Sequence, residues 1–99
     1  MAVGDKYILH SSVNAGAYLD AQPGSSTEIV IHNIYVPDVC PITVERYDGT
    51  NSLIFTGTLV GPLILTNLQH HCTNGDRIRV KNTHGSNAYR LAVDGVYTK

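Results

Sequence analysis

Asn74-Gly75-Asp76-Arg77-Ile78-Arg79-Val80-Lys81-Asn82 is the stretch whose reading decides the fold. Asn-Gly-Asp supplies turn chemistry, because glycine and asparagine tolerate the left-handed backbone of a tight reversal. From Arg77 the chain alternates strictly: Arg77, Arg79 and Lys81 face one way, Ile78 and Val80 the other. A side-chain period of two is that of a strand, with one face on a core and the other, here basic, turned outward.

The same punctuation recurs along the chain. Gln22-Pro23-Gly24-Ser25-Ser26, Asp48-Gly49-Thr50-Asn51, Gly61-Pro62 and Thr83-His84-Gly85-Ser86-Asn87 each close a short β-type run. Thr27 to Val36 carries apolar groups on both faces, with Ile29, Ile31 and Tyr35 on one and Val30, Ile34 and Val36 on the other. That predicts a central strand, ended by Pro37, which has no N–H for a ladder. Pro41–Tyr47 alternates, the Asp48-Gly49 turn returns it into Ser52–Leu59, and Gly57 within that run predicts a bulge or a close backbone approach. Pro62–Leu68 is a further short apolar run. Tyr89, Leu91 and Val93 alternate with Arg90, Ala92 and Asp94 in the last long strand. Lys6–Val13 and Ala17–Ala21 complete about eight strands. No segment has a helical period. The expectation is all-β: a single antiparallel β-sandwich of about eight strands, jelly-roll or immunoglobulin-like.

Ninety-nine residues make one domain with one small core. The hydrophobic fraction of 42% fits a globular chain, while 15% charged residues is low against about 25% in typical proteins. A surface rich in hydroxyls and amides packs readily against other protein, since little charge has to be desolvated. The net charge of −1 argues against a nucleic-acid partner. From Arg77 onward cations dominate, whereas most acids precede it, so a basic and an acidic end are expected. The first residues lack the pattern of a secretory signal, and no run approaches membrane-spanning length, so no membrane partner is expected. Cys40 and Cys72 read as reduced, partly buried small hydrophobes; a bridge between them requires adjacent strands.

Candidate chemistry is thin. In His70-His71-Cys72, neighbours in an extended segment point to opposite faces and cannot converge on one metal ion. No Gly-x-Ser-x-Gly elbow and no cleft for paired carboxylates is visible. No enzyme activity and no cofactor are expected. The six tyrosines offer one ligand alternative, a shelf for a glycan, although their alternation is expected to turn Tyr89 and its neighbours toward the core. The basic stripe Arg77, Arg79, Lys81 reads as a solvated face, or as a surface that docks on phosphates or on an acidic partner.

Three stretches carry a resemblance. Gln22 to Val36, with its Pro-Gly turn leading into Ile31-His32-Asn33-Ile34-Tyr35-Val36, is the first. Ile42 to Thr50, with Tyr47-Asp48-Gly49-Thr50, and Asn74 to Asn82 come after it in matching order and spacing. Together, over roughly Ala17 to Val96, they resemble small β-sandwich virion structural proteins of tailed bacteriophages, of the capsid decoration (cement) or tail-associated type. Where such relatives often carry a Val-x-Asn-Thr motif after the strand, this chain has the stiffer Val36-Pro37-Asp38-Val39-Cys40-Pro41.

The resemblance implies a structural role: a homotrimer clamping major capsid protein subunits on the capsid surface of a virion assembled in the host cytoplasm. A neck, tail or fibre component is the alternative within the same particle. A carbohydrate-binding module for host glycans is the alternative from another class. Three contact regions are expected. The first is an N-terminal arm of residues 1–5 (Met1, Ala2, Val3, Gly4, Asp5), preceding a sandwich of residues 6–99. The second is the loop Pro37, Asp38, Val39, Cys40, Pro41, wedged into a subunit junction. The third is the stripe Arg77, Arg79, Lys81, facing acidic capsid loops.

Overall fold

The computed structural model describes residues 2–99. Its strands are β1 (Lys6–Val13), β2 (Tyr18–Asp20), β3 (Ile29–Val36), β4 (Pro41–Tyr47), β5 (Ser52–Ile54), β6 (Leu59–Val60), β7 (Leu63–Leu65), β8 (His70–Cys72), β9 (Arg77–Asn82) and β10 (Tyr89–Tyr97). All pairings are antiparallel. One sheet runs β1-β10-β3, with β7 and β8 end to end along the outer edge of β3. The other runs β2-β9-β4, with β5 and β6 end to end along the outer edge of β4. The two sheets pack as a β-sandwich. Successive strands β1 to β4 change sheet each time, and the pairing is nested: β1 with β10, β2 with β9, β3 with β7 and β8, β4 with β5 and β6.

The alternation read from the sequence builds the core. Ile78 and Val80 of β9, Leu91 and Val93 of β10, and Ile42 and Val44 of β4 are fully buried. Each contributes about 1.5–3 kcal/mol on leaving water. At the end of β9, buried Asn82 ties three segments together. Its Nδ2 donates to the carbonyls of Val13 (2.8 Å) and Asn87 (2.9 Å), and its Oδ1 accepts from the His84 N–H (2.9 Å).

Strand β3 departs from simple alternation. Asp94 pairs with Asn33 and Gly95 with Ile31, leaving His32 as an extra residue in a bulge. The face therefore flips midway: Ile29 and Ile31 point into the core, and so do Ile34 and Val36, while Tyr35 points outward. The close approach this needs falls at Gly95, where a Cβ would sit 1.8 Å from the Val30 carbonyl oxygen.

Ten strands among the described residues replace the expected eight. The Ser52–Leu59 run breaks because Thr56 Oγ1 accepts the Val44 N–H at 3.0 Å, where a backbone carbonyl would otherwise continue the ladder. Gly57 lies in open space and is not a close approach, but it falls in an irregularity: between the Glu45↔Ile54 and Ile42↔Leu59 pairings this run has two more residues than β4. The crowded glycine is Gly61, where a Cβ would come 2.1 Å from the Asp38 carbonyl oxygen. His70–Cys72, which lies outside the expected strands, is strand β8.

Candidate functional site

On the outer face of the β2-β9-β4 sheet, the stripe alternates outward as expected, but the charges of Arg77 and Arg79 are paired within the chain. Arg77 forks onto Asp20 of β2, with Nε–Oδ1 3.0 Å and Nη2–Oδ2 3.1 Å. That hydrogen-bonded pairing pushes the Arg77 guanidinium further up, against the opposing effect of its burial. Arg79 donates to Glu45 of β4 at 2.8 Å and to Ser52 of β5 at 3.3 Å. Its guanidinium lies 3.8 Å from the ring centroid of Tyr18 and 3.7 Å from that of Tyr47. Tyr18 and Tyr47 thus stand on the outer face, where they cover a cation. Lys81 stands 5.7 Å from the Tyr18 ring and, among the described residues, forms no ion pair. The expected division into a basic and an acidic end is absent, because cross-strand register interleaves the signs. Arg46 pairs with Asp76, and Glu28 with His71 and Lys99.

The Pro37–Pro41 loop divides. Pro37, Asp38 and Val39 are exposed, and Pro41 is half-buried at the start of β4. Cys40 does not belong to a contact surface: it is fully buried, with its Sγ 3.4 Å from Asn82 Oδ1. Cys40 and Cys72 are both free thiols in the core, and burial pushes each up from its ordinary value.

Residues 2–5 form a turn bound to the sandwich. Gly4 N–H donates to the Tyr97 carbonyl, Tyr97 N–H to the Asp5 carbonyl, and Asp5 N–H to Ala2, so the β1–β10 ladder continues past Lys6. Gly4 takes the left-handed backbone at φ +90, and Val3 at the tip is 72% exposed. Met1 lies outside the described residues.

The most distinctive surface is the long side bounded by β5 to β8. Leu53 (66% exposed), Ile54, Phe55, Val60 and Ile64 (60% exposed) all present apolar side chains there, with Val39 beside them. Gly61 brings these pieces together. Its N–H donates to the Cys40 carbonyl, and its crowding against Asp38 seats Val60 and Pro62 against the Pro37–Val39 loop. Tyr35, Val36, Pro37, Pro62, Leu63 and Ile64 line an apolar groove of about 470 Å³. Farther along, the Phe55 ring reaches across to His70 of the other sheet, centroids 5.3 Å apart, closing the gap between the sheets. The sequence held a sign of this side. Leu53-Ile54-Phe55 are three apolar residues in a row, and a strand cannot turn all three toward one core.

His70 is half-buried against Phe55, whereas His71 is exposed and bonded to Glu28 at 2.7 Å. Among the described residues no three His, Cys, Asp or Glu side chains are grouped to hold a metal ion. No protein-family model matches the chain, and no curated protein does.

Proposed function

We propose that this protein is a non-enzymatic virion structural protein, a capsid cement or decoration subunit that binds major capsid protein subunits through its β5–β8 side. The observation that carries the reading is the set of exposed apolar side chains on the β5–β8 edge strands and their connections, Leu53, Ile54, Phe55, Val60 and Ile64, together with the apolar groove lined by Tyr35, Pro37, Pro62 and Ile64. A domain this small gains little by exposing so much apolar surface in isolation, and such patches mark protein–protein contact. The nested strand order supports a jelly roll, since an immunoglobulin sandwich pairs its first two strands in one sheet. The motif resemblance supplies the phage setting and the trimeric clustering. Many copies, each held by a modest apolar contact, gain occupancy through multivalency on a repeating shell.

Mixing purified protein with undecorated shells and pelleting them tests the reading. Saturation at hundreds of copies per shell is expected. The triple variant Leu53→Ser, Val60→Ser, Ile64→Ser should bind at least tenfold more weakly while unfolding at the same urea concentration, because all three side chains stand in water. Equal binding by variant and wild type refutes the docking side. A copy number of only a handful per particle moves the protein to the neck, tail or fibre.

A further inference from the structure

The two long sides of the sandwich end differently. On the β5–β8 side the outermost strands are fragments of three, two, three and three residues. Short, interrupted edges are one means by which β-proteins keep sheets from joining. On the opposite side β1 runs eight residues in unbroken register with β10, from Lys6↔Val96 to Val13↔Tyr89. It has no proline and no bulge, and its single full charge, Lys6, sits at one end. Every second residue of an antiparallel edge strand turns its N–H and C=O away from its neighbour. The Tyr97 N–H on the Asp5 carbonyl sets the odd-numbered positions toward β10, so Lys6, Ile8, His10 and Ser12 turn theirs outward. From Lys6 to Ser12 no strand lies on the outer side among the described residues.

We propose that β1 pairs antiparallel with β1 of a second copy of this chain, about a two-fold axis at Leu9, so that one continuous sheet crosses the dimer. A two-fold axis perpendicular to the sheet keeps outer faces level only if each residue meets one of the same facing, which restricts the register. Centring on Leu9 sets Lys6 opposite Ser12, Tyr7 opposite Ser11 and Ile8 opposite His10. Centring on His10 would set two imidazoles face to face. Centring on Ile8 shortens the ladder to Lys6–His10.

Side-chain placement favours the Leu9 register. Tyr7 and Leu9 face inward but are only partly buried at the rim of the core. The pairing sets Leu9 against Leu9 of the second copy and extends that rim. On the outer face Ile8, 63% exposed, gains a neighbour in His10. No like charges are opposed, since each Lys6 meets a hydroxyl. The contact is isologous, so it uses up both free edges and closes. It also leaves the β5–β8 side open, and the dimer stands or falls independently of the proposed capsid contact.

Sedimentation velocity over a concentration series tests it, with Ser12 as the probe because its side chain is exposed. Wild type is expected to reach dimer mass. Ser12→Lys sets a second ammonium opposite Lys6 twice over and should weaken the dimer roughly tenfold. Ser12→Glu should tighten it, with a gain that salt removes. Matching far-ultraviolet circular dichroism spectra for the three proteins confirm that the fold is intact. A wild type that stays monomeric, a dimer indifferent to both substitutions, or self-association only as a trimer overturns the proposal.

Discussion

Glu45 sits on the outer face of its sheet yet is 1% exposed, roofed by Arg79 and the flanking tyrosines. Burial alone would raise its carboxyl. Hydrogen bonds from Ser52 and Arg79, and the charge of the guanidinium, outweigh that and hold it below the usual range. A carboxyl depressed in the folded state adds stability above its unfolded value of about 4.3, and that stability is lost as pH falls through the folded value. Urea midpoints measured across a pH series should therefore fall more steeply on the acid side for wild type than for Glu45→Gln, with the two curves converging at low pH. Parallel curves would show that Glu45 titrates alike in both states. Arg79→Ala is a harsher change, since it leaves the carboxylate buried without its cation. A loss of about 3–5 kcal/mol in urea unfolding at neutral pH is expected. The stripe therefore serves the fold before any partner. A triple Arg77, Arg79, Lys81 to Ala variant would report stability as much as binding.

At the scale of the strand, the bulge at His32 shows what pattern reading reaches and where it stops. The alternation of β9 and β10 is local, so Arg77–Lys81 and Tyr89–Asp94 take the faces their spacing dictates. In β3 every residue around the bulge is apolar, aromatic or amide. No local cue tells that His32 is the residue left over, because that choice is made by Gly95 on a strand far away in sequence. His32 is then held from the other side: its Nδ1 donates to the Leu68 carbonyl at 3.0 Å, and the Leu68 N–H donates back to the His32 carbonyl. Gly95→Ala should cost about 3 kcal/mol by chemical denaturation, the upper end for overpacking, because the obstacle is backbone that cannot rotate away. A loss near zero would mean that the bulge relaxes freely. The candidate contact regions show the same limit. Exposure of Pro37–Val39 follows from turn chemistry, but burial of Cys40 depends on Asn82 reaching it across the sheet. The pairing of Arg77 with Asp20 likewise depends on β2 lying beside β9, a neighbour relation that spacing along the chain does not contain.

For the whole molecule, the question is whether two sheets sharing one core open together. The sandwich measures 37 × 27 × 20 Å, and its short dimension leaves room for a single layer of core side chains between the sheets. The two thiols report from opposite sheets: Cys40 at the entry to β4, Cys72 in β8. Both are fully buried and pushed up by burial, so in the closed protein neither offers much thiolate to a reagent. Reaction with a thiol reagent in native buffer must then wait for opening, and when reclosing is fast its rate tracks the free energy of that opening. A single cooperative core predicts one common rate for Cys40 and Cys72, resolved by mass spectrometry of the labelled peptides. Arg79→Ala should accelerate both by the same factor, although it touches only the Cys40 sheet. Faster labelling of Cys72 alone would mean that the β7–β8 edge frays independently of β4, and that the sandwich is two coupled sheets with a weak side where the apolar strip lies.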